Sequence, residues 1–412
     1  MKRLTDAFFP GARVFVPGMS GESALLLDEL EADPERARDV HFIGVQFPGI
    51  GRADYLASHS KARQTAFFMS PSVRRGLLED RAELFPLDYA SIVRHLQGMA
   101  PVDLAIAQLS PPDENGFCSP GLCSDFVPLV WARAARRAAH VNPSMPRTRG
   151  SFRVHLSELD VCVEADRALV QLPDAPASSV EDRIGTHVAA LVRDGDTLQF
   201  GIGSVPMALA RSLTNHRRLK LHAGLVSEAM RVLWQAGALD ADARITTGVA
   251  LGSDDFYDFV ARHEKAWFTD VSQTHDLATV SAIPRFVAIN SAVQVDLFGQ
   301  VNAERTNGLL QAGAGGLPVF AQGALQSLGG RVLICLAASA KGGTVSRIVP
   351  ALGADAVCTL PRHMADAVVT EHGVAELREL SLEARAQALI GIAAPEHRAA
   401  LSSAWDQLRR DL

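Results

Sequence analysis

Short β-branched or aromatic runs alternate with longer segments of helical period along the whole chain, and this alternation restricts the fold to α/β with largely parallel sheets. Ala12–Pro17, Val40–Gln46, Thr65–Met69 and Val102–Gln108 read as strands in the first half. Glu22–Glu31, Pro71–Leu78, Tyr89–Gln97 and Asp125–Ala139 read as the intervening helices, the second capped by Ser70. After Leu172 comes Pro-Asp-Ala-Pro-Ala-Ser-Ser179, which has no apolar period and is the expected linker. It divides the chain into expected domains at 1–178 and 179–412.

The alternation then resumes. Strands are expected at Thr197–Phe200, Leu219–Leu225, Arg244–Ala250, Phe286–Leu297, Val332–Leu336, Ala356–Leu360 and Ala367–Thr370. Helices are expected at Glu181–Arg193, Val205–Leu213, Glu228–Ala236, Ser381–Ile392 and Glu396–Arg410. Each half also carries a strand that runs into a similarly spaced turn, Asp113-Glu-Asn-Gly116 and Asp296-Leu-Phe-Gly299. An Asp and a Gly three apart suit a tight turn, and two of them in matching contexts suggest a duplicated domain.

With 412 residues, 48% of them hydrophobic, the chain can bury two or three cores. A net charge of -6 with no basic run speaks against nucleic acid or an anionic membrane as partner. No apolar run suits a signal peptide or a membrane span, so a cytoplasmic location is expected. Five cysteines, an odd number, do not suggest a disulfide framework, and Cys162, Cys335 and Cys358 are expected to be buried. The scattered histidines offer no metal-ligand spacing, and neither a metal nor a permanently bound cofactor is expected.

Three glycine turns could meet a ligand. Gly201-Ile-Gly203 joins a strand to a helix, although on its own tight-turn punctuation explains it better, and a dinucleotide fingerprint is excluded because Pro206 takes the place of its third glycine. Gly313-Ala-Gly315-Gly316 and Lys341-Gly342-Gly343 can cradle a pyrophosphate with their amides, with Lys341 adding charge, but neither is a P-loop. His222 lies near a strand end and is the histidine candidate for a site.

The segment Asn290-Ser-Ala-Val-Gln-Val-Asp296 with Gly299 and Val301-Asn302 resembles the active-site hairpin of the acetyl-CoA hydrolase/transferase family, the class I CoA-transferases. Gln108–Gly116, Val141–Arg147, Leu198–Gly203, Ala340–Pro350 and Val368–Arg378 extend the resemblance over most of the chain, towards the 4-hydroxybutyrate CoA-transferase-like branch. The resemblance implies two similar open α/β domains with a CoA thioester bound as substrate in the cleft between them. It also implies a small carboxylate acceptor and a homodimer or larger closed assembly. The family's nucleophile is a glutamate that forms an acyl anhydride and then a glutamyl-CoA thioester, with backbone amides holding the oxyanion. By this resemblance Gly373 is a candidate oxyanion donor, and the turns at Gly313–Gly316 and Lys341–Gly343 would lie along CoA.

The chain departs from that pattern where the chemistry is expected. Gln294 stands at the place of the glutamate, Val319 at the place of an aspartate, and Ala223-Gly224 at the place of a Thr-Glu pair. Several readings stay open: a transferase in which Gln294 is an engineered replacement or is converted to glutamate by deamidation, an acyl-CoA hydrolase or other acyl-transfer enzyme, a CoA-ester binding protein without turnover, or a structural Gln294. For hydrolysis the carboxylates available to activate water are Glu228, Glu304 and Glu371, each of which also suits a salt bridge or a helix cap.

Overall fold

The computed structural model describes residues 2–172 and 178–410. Residues 173–177 of the expected linker lie outside the described residues; Ser178 caps the helix Ser179–Ala189. The chain forms two compact units, but not with a boundary at 178/179. The first comprises Met1–Pro173, Gly224–Ser227 and Arg244–Asp276, and the second Asp174–Ala223, Glu228–Ala243 and Leu277–Leu412. Backbone bridges within the first unit explain the correction: Cys123 pairs with Val249, Gly150 with Phe268 and Asp125 with Asp270, tying the 244–276 segment to it.

The first unit is built on a seven-stranded sheet. Its spatial order is Ala82–Leu84, Arg63–Ala66, His41–Ile43, Arg13–Phe15, Leu104–Leu109, Arg136–Val141 and Val161–Glu164, with every pairing parallel. Both faces are covered, as a parallel sheet requires. Leu104 and Ile106 enter one apolar core while Ala105, Ala107 and Leu109 enter another, so the strand's period of two serves two interiors. The helix Pro71–Leu78 forms where its signals placed it, the Ser70 hydroxyl accepting the Val73 N–H at 3.1 Å.

The second unit has a six-stranded sheet in the order Lys220–Leu221, Thr197–Phe200, Phe286–Ser291, Arg331–Cys335, Ala367–Thr370 and Gly373–Glu376. All of its pairings are parallel except the last. Thr197–Phe200 has its successor in the chain on one side and the later Phe286–Ser291 on the other. The strand order reverses there, and the backbone leaves in opposite directions above the two carboxyl ends.

Several expected elements differ. Asp125–Ala139 is not one helix: Val127–Trp131 is helical and Arg136–Val141 is a central strand. Its alanines and arginines favour a helix locally, but a strand on each side supplies a ladder and burial that override propensity. Ala356–Leu360 is no strand and contributes only a bridge from Leu360 to Val301. Phe286–Leu297 breaks after Ser291 and restarts at Gln294 in a separate small sheet. Leu219–Leu225 and Arg244–Ala250 likewise divide into shorter strands. Cys335 is buried, whereas Cys162, on an edge strand of the first sheet, and Cys358 are exposed.

Candidate functional site

The reversal point of the second sheet brings two of the expected segments to neighbouring strand ends. Phe200 pairs with Ile289, so the Gly201–Gly203 turn leaves one strand beside the segment that leads to Gln294 on the next. Gln199 and Asn290 link the two strands by reciprocal amide bonds of 2.9 and 3.4 Å. Gly203 takes a φ of 109° at the start of helix Ser204–Ser212, a conformation that excludes other residues. A Cβ added at Gly201 or Gly203 would meet nothing within 4 Å, so the space above this strand end is open. The helix is anchored from behind, the Ser204 hydroxyl donating to Glu181 at 2.7 Å.

Gln294 opens a short strand paired with Val301–Asn302 on one side and Ile348–Val349 on the other. The buried Asn302 fixes its orientation. Asn302 Oδ1 accepts the N–H groups of Glu304 and Arg305 at 3.1 and 2.9 Å, and Nδ2 donates to the Arg305 carbonyl at 2.8 Å. These three backbone bonds settle which end of the Asn302 amide is nitrogen. The same Nδ2 donates to Gln294 Oε1 at 3.1 Å, and among the described residues the Gln294 nitrogen has no hydrogen-bond partner. Gln294 therefore presents a donor.

Glu304 lies in the turn after Asn302, its Oε1 accepting the Thr359 hydroxyl at 2.8 Å. Thr359 in turn accepts the Ala303 N–H at 3.0 Å, a support that the sequence reading missed because no local signal marks it. The buried Glu371 accepts the Ala338 N–H at 2.8 Å, and Gly373 stands opposite Thr370 across a tight hairpin. Lys341–Gly343 is the exposed tip of a hairpin between Ser339–Ala340 and Val345–Ser346, held by His397 donating to the Gly343 carbonyl at 2.7 Å. Gly313–Gly316 precedes the helix Leu317–Gln326, with Gly315 at a φ of 60°.

The three residues expected to contact substrate have the following surroundings. Val319 is 3% exposed in the first turn of its helix, where packing shields it. His222 is buried with its ring edge-on to Phe286 at 6.1 Å. Gly224 belongs to the first unit, where an added Cβ would come within 2.4 Å of the His275 ring. Glu228, the alternative base, is buried and paired with Arg231 at 2.6 Å. Among the described residues, no group of three His, Cys, Asp or Glu side chains is placed to hold a metal ion, and no helix is long and apolar enough to cross a membrane.

The acetyl-CoA hydrolase/transferase N-terminal domain matches residues 4–172, and the C-terminal domain of the same family matches residues 252–405. The chain belongs to this family. A 4-hydroxybutyrate coenzyme A transferase from Clostridium kluyveri is 33% identical over 398 residues, covering 95% of this chain and 92% of that protein. RipA from Yersinia pestis matches in structure with a TM-score of 0.90 at 26% identity, over 99% of this chain and 97% of that one. A 4-hydroxybutyrate CoA-transferase from Porphyromonas gingivalis matches with a TM-score of 0.81 at 27% identity, over 100% and 97%. The α/β architecture with two parallel-sheet domains is thus that of the CoA-transferase family, whose members act on acyl-CoA thioesters.

Proposed function

We propose that this protein exchanges CoA between an acyl-CoA thioester and a small carboxylate at the reversal point of the second sheet, and that residue 294 acts there as a hydrogen-bond donor and forms no covalent bond. The observation that carries this reading is the open space above Gly201 and Gly203, adjoining the strand that leads to Gln294. Open α/β sheets bind ligands at such reversals. The exposed Lys341 tip and the turn at Gly313–Gly316 are the candidates for contact with CoA phosphates, and Gly373 for an oxyanion donor.

The amide of Gln294 is a poor nucleophile because its nitrogen lone pair is delocalised into the carbonyl. The acceptor carboxylate then attacks the thioester carbon itself, expelling CoA thiolate and forming a mixed anhydride. The thiolate attacks the other carbonyl of that anhydride, which releases the first acid and completes the exchange. The unpartnered Gln294 N–H would stabilise charge developing on the carbonyl oxygen. A second reading, hydrolysis, is favoured by Glu304: with one oxygen fixed on Thr359, the other can accept a proton from water.

The test is release and exchange of CoA with and without an added carboxylate, joined to peptide mass spectrometry across residue 294. Carboxylate-dependent exchange with residue 294 unmodified supports the proposal. A CoA adduct at residue 294 after conversion to glutamate restores the covalent route and sinks it. Thiol release that ignores the carboxylate identifies a hydrolase, and saturable binding without either identifies a binding protein. The homo-oligomer implied by the family is read independently by sedimentation.

A further inference from the structure

We propose that the first unit holds a separate binding site for the ammonium group of a small aliphatic amine. It lies in a cavity of about 250 Å³ beside the carboxyl ends of strands His41–Ile43 and Arg63–Ala66. A single bound water needs roughly 15 Å³, so the cavity admits a small organic molecule.

The charges in its lining do not cancel. Glu22, Arg52 and Asp54 are the ionisable residues there. The Arg52 guanidinium is drawn away to Glu31 at 2.8 Å and to Asp28, neither of which lines the cavity. Asp54 is balanced from outside by Arg75 at 3.1 Å, and it also accepts the Ala57 N–H at 3.0 Å and the Ser72 hydroxyl. Glu22 remains. It is 4% exposed, and among the described residues its carboxylate accepts only the backbone N–H groups of Arg52 and Ala53, at 2.9 and 3.2 Å. Burial pushes this carboxyl above the usual range, even though those two amides and the charge of Arg52 pull it down. A buried carboxylate without a cation bonded to it is costly, and an ammonium from solution would supply one.

The rest of the lining favours an organic cation. The Val16 carbonyl can only accept, so Gln46 gives it Nε2 at 3.3 Å and turns Oε1 to the Gln64 Nε2 at 3.2 Å. Gln64, 6% exposed, is thereby left with an oxygen that accepts no hydrogen bond from the described residues and adds a second acceptor to the lining. An ammonium brings three N–H donors to such acceptors. Phe47 and Phe68, with ring centroids 4.2 Å apart, supply an apolar wall for the alkyl chain and aromatic faces that attract a cation. A metal ion is not favoured, because among the described residues no three His, Cys, Asp or Glu side chains are placed to hold one. A ligand carboxylate would be repelled by Glu22, and an alcohol would leave its charge unpaired. This site does not depend on the reading of residue 294.

Saturation-transfer NMR titrations of the full chain with butan-1-amine, butan-1-ol and butyrate test the inference. The amine is expected to bind, and the alcohol and the acid at least tenfold more weakly. Affinity for the amine should fall at least tenfold in Glu22→Gln, which removes the charge at nearly the same volume, and in Ile50→Trp, which fills the cavity from its surface loop and leaves Glu22 in place. Absence of amine binding, or alcohol or acid binding as tight as the amine, would overturn the assignment of ligand class. Amine affinity unchanged in a folded Ile50→Trp variant would overturn the assignment of place.

Discussion

At the end of the strand that flanks its reversal point, each unit turns on glycine, and the surroundings of that glycine are opposite. After Arg13–Phe15 the chain reaches Gly18, where an added Cβ would lie 2.3 Å from the Val45 carbonyl oxygen. After Thr197–Phe200 it reaches Gly201, where an added Cβ would meet nothing within 4 Å. The first unit fills this strand end with its own backbone; the second leaves it open. Glycine therefore serves packing in one unit and borders open space in the other.

The paired turns, by contrast, are built alike. Asp113 and Asp296 each donate their backbone N–H to the residue four on, at 2.8 and 3.0 Å. Each also accepts the N–H groups two and four residues on through Oδ1, at 3.0 and 2.9 Å in one turn and 3.1 and 2.8 Å in the other. Further along, a helix with proline in its first turn begins after a left-handed residue, which is Gly315 in the second unit and Asp125 in the first. Asp125 has a φ of 36° and a buried carboxyl pushed up to about 8 by desolvation and the charge of Asp270. Glycine takes that conformation freely, whereas aspartate there costs about 1–2 kcal/mol.

The largest effect is expected from Gln294→Glu. Loss of a covalent nucleophile costs on the order of six powers of ten in rate, so restoring a carboxylate where the open strand end lies should raise carboxylate-dependent CoA exchange at least about 100-fold. Initial-rate measurements of exchange give the answer. No gain in a variant that still binds acyl-CoA would place the chemistry away from the open end and break the contrast between the units.

Asp125→Asn is next. The folded carboxyl is pushed up to about 8 and the unfolded one keeps the ordinary value of 3.8, so the folded state holds the extra proton between these values. The wild type should lose stability as pH rises through that window and level off above it, by an amount on the order of 5 kcal/mol. The asparagine variant should lack this slope and exceed the wild type in stability at pH 9. Parallel denaturant titrations at pH 5, 7 and 9 decide it, and identical slopes would show that Asp125 does not carry the cost.

These features differ in how far they could be read in advance. Pro71–Leu78, Thr197–Phe200 and Ala367–Thr370 were legible to the residue, because caps, β-branched runs and flanking turns are local signals. Arg136–Val141 was not, because its strand state comes from neighbours distant in sequence. The return of 244–276 to the first unit escaped notice for the same reason. At the site, the Asp296–Gly299 turn followed from spacing and the hairpin joining Gln294 to Asn302 from the family resemblance, whereas the burial of His222 and Val319 depends on packing that no pattern records. The open space above Gly201 is likewise a property of what does not fold over it.

The two turns should also part company when their aspartates are removed. Asp296 is fully buried and binds a second pair of donors, the Gln300 side chain at 2.7 Å and the Leu352 N–H at 3.2 Å. Asp296→Ala leaves several buried donors unsatisfied and should cost about 4 kcal/mol by chemical denaturation. Asp113 faces solvent beside Arg147, and water can replace its carboxylate in Asp113→Ala. Equal losses in the two variants would mean that burial does not separate these turns.

The smallest effects test the opening contrast directly. Gly18→Ala must push against a backbone carbonyl that its sheet holds in place, so a loss of about 2 kcal/mol is expected in thermal or denaturant unfolding. Gly201→Ala meets no protein atom and should leave stability within about 0.5 kcal/mol of the wild type. Its methyl group would project into the space assigned to the thioester, so KM for acyl-CoA should rise about tenfold while the melting temperature holds. A Gly201→Ala enzyme with unaltered KM would mean that the space is solvent alone, and the second unit's strand end would then differ from the first only in being unfilled.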